Sequence, residues 1–406
     1  MSKWRRKGCP FREILINANH NGAGYVLLLY VWFTMSIFYD ANVLYEAGSK
    51  AMKGGRFKRQ TQLFEMNHLL ETAKLQSALL DGSYQPQPGT KFRITERGKA
   101  RDITSNVMTD KTINHVICDQ VLGPAIAPLV IYDNSASQVG KGVSFHRKRF
   151  VQALRRYYNR HHTNEGYILF VDFSKYYASI PHKPCLEMIG KILDRMADPE
   201  DAEMTKEILQ KIFRIFGGEK GIDIGNQCSQ DIGVIYPHRI DNYAKIVRGA
   251  EAYGRYTDDF YLISPDKAEL LSILDGIREI ASDLGLIINE RKTHICRLSD
   301  RYRHLQIQYS LMSSGRVIQK ISPKSITRER RKLKAYKRQL DSGRITMDTI
   351  EGCFRSWLGG NWRVMSRQRI INMSSLYREL FGKELTWEKI PGRLRWLMAA
   401  QSKTSK

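Results

Sequence analysis

The spacing of apolar residues changes several times along the chain, and each change marks an element. From Tyr45 to Leu80 apolar residues recur at helical spacing, and the turn-rich run Asp81-Gly82-Ser83-Tyr84-Gln85-Pro86-Gln87-Pro88-Gly89 then ends the helical region. Tyr167 to Phe173 is an apolar and aromatic run broken only by Asp172, which reads as a buried strand delivering one acid at its end. Ala197 to Phe216 reads as a helical insertion. Glu251 to Tyr256 and Phe260 to Ser264 are aromatic and β-branched stretches that predict two strands, with Asp258 and Asp259 at the hairpin tip between them. Pro323 to Leu340 has no Gly or Pro after its first residue and predicts a helix. Gly352 to Trp396, with Trp357, Trp362, Trp387 and Trp396, predicts a further helical bundle in which the Trp are core residues.

One segment needs separate treatment. Tyr25 to Tyr39 is uncharged and follows the basic start Trp4-Arg5-Arg6-Lys7. Its fifteen residues fall short of the roughly twenty that span a bilayer, and no small-residue cleavage site follows. It reads as a buried helix or a partner surface, and membrane association is not expected.

Composition narrows the function. Lys and Arg number 65 against 41 Asp and Glu, a net charge of +24, and such an excess draws a chain to a polyanion. With 406 residues, 42% of them hydrophobic, the chain has a real core in two or three subdomains and is not wholly disordered. The six Cys, at 9, 118, 185, 228, 296 and 353, show no Cys-x-x-Cys spacing and read as reduced thiols in a cytoplasmic protein. From Pro323 to Leu340 there are eight basic residues against one acid, a composition suited to lying along a phosphate backbone; its bland reading is a solvated charged face.

Adjacent carboxylates repel, so a pair such as Asp258-Asp259 between apolar strands calls for a cation. Alone it reads as a solvated turn. Asp172, at the end of its own buried strand, changes that reading, because three acids sharing divalent cations avoid the penalty each would meet singly. Two Mg²⁺ roughly 3.5–4 Å apart, bridged by such carboxylates, activate an attacking 3′-hydroxyl and steady a leaving pyrophosphate; Mn²⁺ is the natural substitute.

An Asp followed five residues later by Tyr177, then a Gly-and-Gln loop, then Tyr256-Thr257-Asp258-Asp259 resembles the ordered palm motifs of reverse transcriptases. That resemblance implies an α+β right-hand polymerase with fingers, a palm of antiparallel sheet plus helices, and a helical thumb. It makes Asp172, Asp258 and Asp259 the catalytic metal ligands. Tyr177 takes the aromatic position that packs under the sugar and excludes a 2′-hydroxyl, so dNTPs are favoured; Tyr176 and Tyr177 read alternatively as core aromatics. Ile224-Gly225-Asn226-Gln227-Cys228-Ser229-Gln230 resembles the template and nucleotide loop, in the form found in diversity-generating retroelements, which implies error-prone copying. Lys292, after the apolar Leu286 to Ile288, resembles the lysine near the triphosphate. His304 to Tyr309 occupies the primer-grip position without the usual Leu-Gly. Lys91 to Ile94 and Lys99 to Ile103 resemble paired fingers strands, where Arg101 with Lys91 or Lys99 would clamp the triphosphate through a bidentate fork and a mobile ammonium; a solvated basic hairpin is the alternative. Asp110 to His115 and Asn134 to Gly142 resemble segments between fingers and palm.

The resemblance divides the chain into an N-terminal helical region (1–80), fingers (81–165), palm (166–311, with a fingers insertion at about 190–220) and a helical basic thumb (312–406), whose helix would grip the product duplex through its backbone. The expected partners are a structured noncoding RNA template, the cDNA product, dNTPs, and an accessory protein or a second copy of the chain. The expected role is cDNA synthesis in a bacterial diversity-generating retroelement. The alternatives are an antiphage defence enzyme copying its own noncoding RNA and an RNA-dependent RNA polymerase. Acidic clusters of ribonuclease H type and His/Cys-rich endonuclease modules are missing from the sequence.

Overall fold

A computed structural model describes residues 12–18, 25–31, 35–96 and 99–385. Its strands, in chain order, are β1 (Arg12–Ala18), β2 (Tyr25–Val31), β3 (Thr90–Glu96), β4 (Lys99–Ser105), β5 (Tyr167–Asp172), β6 (Ala252–Tyr256), β7 (Asp259–Ser264), β8 (His294–Arg297), β9 (Tyr302–His304), β10 (Ile307–Leu311) and β11 (Val317–Ile321). They form two hairpins, β1-β2 and β3-β4, a sheet of order β6-β7-β5-β8 and a sheet of order β11-β10-β9. The helices expected over Tyr45 to Leu80 are Ala41–Met52, Arg59–Met66 and His68–Leu80. The described chain falls into two compact units.

The first unit comprises Met1–His146, Phe170–Leu262 and Ala268–His294. It holds β3-β4 and the end of the four-stranded sheet that carries the acids. Phe170, Val171, Phe260, Tyr261 and Leu262 are buried, as expected where a sheet is covered on both faces. Phe173 packs on Phe260 at 5.6 Å between ring centroids, and Tyr253 on Phe260 at 6.0 Å, so the strands meeting at the acids are tied by aromatic contacts. Over the stretch expected to be helical, Ala197 to Phe216, lies the helix Pro199–Phe216; it and the preceding helix His182–Met196 each bury one face, with Ile189, Leu193, Ile208 and Ile212 inward.

The second unit comprises Arg147–Leu169, Ile263–Lys267 and Ile295–Lys406. Its helices Pro323–Asp341, Met347–Asn361 and Arg367–Phe381 enclose Leu333, Ile350, Phe354, Leu358, Met373 and Tyr377, with Phe354 stacked on Tyr377 at 4.9 Å. In Pro323–Asp341 the buried residues are Ser325, Glu329 and Leu333, one turn apart, which leaves Arg330, Lys334 and Arg338 exposed on another face. Trp357 and Trp362 pack partly buried against this core; Trp387 and Trp396 lie outside the described residues.

Two expectations are corrected. Tyr25–Val31 is a strand paired antiparallel with Arg12–Ala18, so the region 1–80 is not wholly helical and the first part of the uncharged run is a strand rather than a buried helix. A continuous apolar run has no period to separate strand from helix, and its aromatic and β-branched content suits a hairpin. The region 312–406 opens with β11, paired to β10 from Ile307↔Ile321 to Leu311↔Val317, before its helices begin.

Candidate active site

Strand β5 carries its buried run, Ile168 to Val171, to a buried Asp172. The segment after Leu286 lies along the end of this strand. Ser174 N–H donates to Ile287 O at 2.7 Å and Asn289 N–H to Asp172 O at 2.8 Å. A turn closed by Lys292 N–H on Asn289 O then brings Lys292 over the acid, where its ammonium donates to both Asp172 oxygens at 2.5 and 2.6 Å. Asn289 Nδ2 adds a donation to Oδ1 at 3.3 Å. Burial alone would lower the Lys292 pKa, but the hydrogen bond to Asp172 and the charges of Asp172, Asp259 and Asp258 raise it, so the ammonium is retained.

The hairpin β6-β7 supplies the other two acids. Thr257 makes the turn with φ +56°, a left-handed backbone unusual for a branched residue, and Asp258 and Asp259 follow at once. Burial, and then the Asp172 charge, raise the Asp258 pKa against the pull of Lys292 and Arg101. Burial, the charges of Asp258 and Asp172 and a hydrogen bond with Asp172 push Asp259 up to about 7. Asp172 thus acts on both acids of the hairpin, and Lys292 is the cation hydrogen-bonded to Asp172.

Among the described residues no three His, Cys, Asp or Glu side chains are grouped so as to hold a metal ion, and Asp172 is held by Lys292. The donor set nevertheless fits a hard divalent cation. The acids are all oxygen donors, partly or wholly buried, and their ionisation is opposed by burial and mutual repulsion that such a cation would relieve.

The two tyrosines after Asp172 take different places. Tyr176 is buried and donates to Gly233 O at 2.8 Å, so it is the core aromatic. Tyr177 is only partly buried, its pKa pushed up to about 12 by burial and the Asp258 and Tyr256 charges. Its ring lies over Gly233, where a Cβ would stand 2.9 Å from the phenol oxygen. Gly233 belongs to the helix Gln227–Ile235, capped by the Asn226 side chain accepting from Cys228 N–H at 2.9 Å. Gln230 on this helix is exposed and accepts from Ser137 Oγ at 3.4 Å.

The loop before that helix is anchored to β4. Thr104 N–H donates to Ile224 O at 2.9 Å, and Gly225, at φ +114°, lies so close that a Cβ would stand 2.5 Å from Thr104 O. On the β3-β4 hairpin, Arg101 is opposite Ile94 and its charge reaches Asp258. Lys91 is opposite Thr104, and alternation puts it on the other face of the hairpin from Arg101, so those two do not form one clamp. Lys99 opens β4 opposite Glu96. Two residues escape a reading of the sequence: Asn289, whose signal is its place three residues before Lys292, and Arg255, a charge inside an otherwise apolar strand.

A family model for reverse transcriptases, RNA-dependent DNA polymerases, matches residues 88–326, more than half of the chain. The chain belongs to the reverse transcriptase family. No curated protein sequence matches it significantly. Similar solved structures include a Candida albicans telomerase in complex with a fragment of telomeric RNA (11% identity, 79% of this chain and 58% of that one, TM-score 0.46). They also include apo telomerase of Candida tropicalis (13%, 73% and 61%, TM-score 0.45) and its form truncated from the C-terminal domain (13%, 59% and 58%, TM-score 0.43). The chain spans about three fifths of those telomerase chains. As a reverse transcriptase family member it has mixed helix and antiparallel sheet, and among the described residues no helix is long and apolar enough to cross a membrane.

Proposed function

We propose that the chain is an RNA-directed DNA polymerase that extends a primer 3′-hydroxyl with dNTPs on a structured noncoding RNA template, in the cytoplasm and within a diversity-generating retroelement. What supports the chemistry is that Asp172, at the end of β5, raises both Asp258 and Asp259 at the turn into β7, and that Asp258 raises Asp259 further. In this reading residues 81–165 act as fingers, 166–311 as palm and 312–406 as a thumb, with the exposed basic face of Pro323–Asp341 along the product backbone.

Asp172, Asp258 and Asp259 would hold two Mg²⁺, which when bound lower the pKa of the primer hydroxyl and offset charge on the leaving pyrophosphate. The chain's own residues do the rest. Arg101 binds the triphosphate, and Lys292, once released from Asp172, adds an ammonium to the same charge. Tyr177, held over Gly233, fills the space a 2′-hydroxyl would need, which favours DNA synthesis over RNA synthesis. Gln230 and the Gly225 loop face the nucleotide and template. The retroelement role is supported by the Ile224-Gly225 and Ser229-Gln230 form of that loop.

Primer extension on an RNA template with Mg²⁺ and dNTPs tests the activity. The wild-type chain should extend and Asp258→Asn should not, while remaining folded. Extension by NTPs alone, or full extension by the variant, overturns the assignment. Sequencing cDNA made in the source cells tests the role: copies of a variable-protein gene carrying substitutions at adenines support it, and copies of a dedicated noncoding RNA overturn it.

A further inference from the structure

Arg255 is the largest fully buried side chain of the described residues, in β6 just ahead of the acidic turn. A guanidinium withdrawn from water needs a partner for nearly every donor. Nε and Nη2 donate to the two oxygens of Asp241, at 2.7 and 2.6 Å, and Asp241 is itself buried and accepts from Tyr253 Oη. That grip fixes the plane of the fork.

The remaining donors go to main-chain carbonyls. Nη2 also donates to Val234 O at 2.7 Å, in the helix Gln227–Ile235, and Nη1 donates to Thr257 O at 3.2 Å, in the left-handed turn that presents Asp258. Val234 follows Gly233, the residue beneath the Tyr177 ring. The Arg255 main chain is bound as well, its N–H to Asp133 O at 3.1 Å and its carbonyl accepting from Ser135 N–H at 3.0 Å.

Stability alone does not call for this arrangement, since an apolar pair of similar volume commonly replaces a buried ion pair without loss. What an apolar pair cannot supply is a directed donor to the Thr257 carbonyl and a second to the helix behind Tyr177. Resting on the polymerase reading above, we infer that Arg255, oriented by Asp241, is a positioning residue that sets the turn carrying Asp258 against the helix that backs Tyr177. It thereby fixes where Asp258 meets the divalent cation.

The test uses the full chain and two variants, R255M/D241L and R255K. The double variant removes both charges together, so a purely structural role is largely rescued. R255K keeps the charge pair and loses the fork. Melting temperature, Mn²⁺ binding by calorimetry without nucleic acid, and primer-extension kcat and KM are measured for each. The double variant should melt close to wild type, bind Mn²⁺ more weakly and lose about 10–100-fold in kcat, the range typical of residues that orient metal ligands, with KM for dNTP little changed. R255K should fall between the two in Mn²⁺ affinity and kcat.

A folded double variant with wild-type Mn²⁺ affinity and kcat overturns the inference. If the double variant does not fold, R255K carries the same comparison, and wild-type values there overturn it equally. If Mn²⁺ binding weakens as expected but the wild-type chain makes no DNA, Arg255 still positions the acids and it is the polymerase reading that fails.

Discussion

Lys292 donates to both carboxylate oxygens of Asp172, 120 residues away in sequence, at 2.5 and 2.6 Å. On the proposed reading, a divalent cation held by Asp172 would compete with this ammonium for one carboxylate. Replacing Lys292 by Met should separate two effects. Mg²⁺ should bind more tightly, because the competing charge is gone. Primer-extension kcat should fall about 100-fold, because the ammonium that would meet the triphosphate charge is gone. A Mg²⁺ titration of extension rate reads both, and weaker Mg²⁺ affinity in the variant contradicts the competition.

Asp259 ties stability to pH. Its pKa is about 7 in the folded chain against an ordinary 3.8, so the folded state holds a proton that the unfolded state has released. The associated stability is present below the ordinary value and is lost as pH rises through about 7. In a chelating buffer the wild-type melting temperature should fall across that window more steeply than that of Asp259→Asn. The variant should be the more stable above neutral pH, by about 1–2 °C per kcal/mol of repulsion removed. Parallel curves for the two proteins would contradict it.

Tyr177 lies over Gly233 with no room for a methyl between them. Tyr177→Ala should open the sugar position and lower the dNTP-over-NTP ratio of kcat/KM about tenfold or more. Gly233→Ala should push the ring toward the nucleotide and raise the dNTP KM. Single-nucleotide incorporation measures both, and an unchanged sugar ratio in Tyr177→Ala removes Tyr177 from that role.

Arg330, Lys334 and Arg338 are exposed one turn apart on Pro323–Asp341. If this stripe follows a phosphate backbone, replacing all three by Ala should weaken RNA–DNA duplex binding for every sequence alike. It should also flatten the plot of log affinity against log salt by about 0.7–0.9 for each phosphate no longer neutralised. An unchanged slope means that the stripe is only a solvated face.

What is legible in the sequence is local. A strand interrupted by one acid at its end, and two aromatic strands flanking an acidic pair, are patterns set by near neighbours, and β5, β6 and β7 follow them. The interactions that define the site join residues far apart. Neither Lys292 on Asp172 nor the Arg255–Asp241 pair leaves a periodic trace, because each side chain alone looks like an ordinary charge beside apolar neighbours. The face of β4 on which Arg101 stands depends on hairpin register, which no local pattern sets, and so Lys91 groups with it in sequence but not in space. Tyr25–Val31 is ambiguous for the opposite reason: an unbroken apolar run fits strand and helix alike.

Gly225 meets the carbonyl of Thr104 at a distance no side chain tolerates, and in a backbone conformation few other residues adopt. Two separate obstacles at one position mean that a second substitution nearby cannot compensate for its loss, since relieving the clash leaves the torsion and relieving the torsion leaves the clash. A mutagenesis library aimed at retuning copying accuracy should therefore hold Gly225 constant and place its diversity at exposed positions such as Gln230.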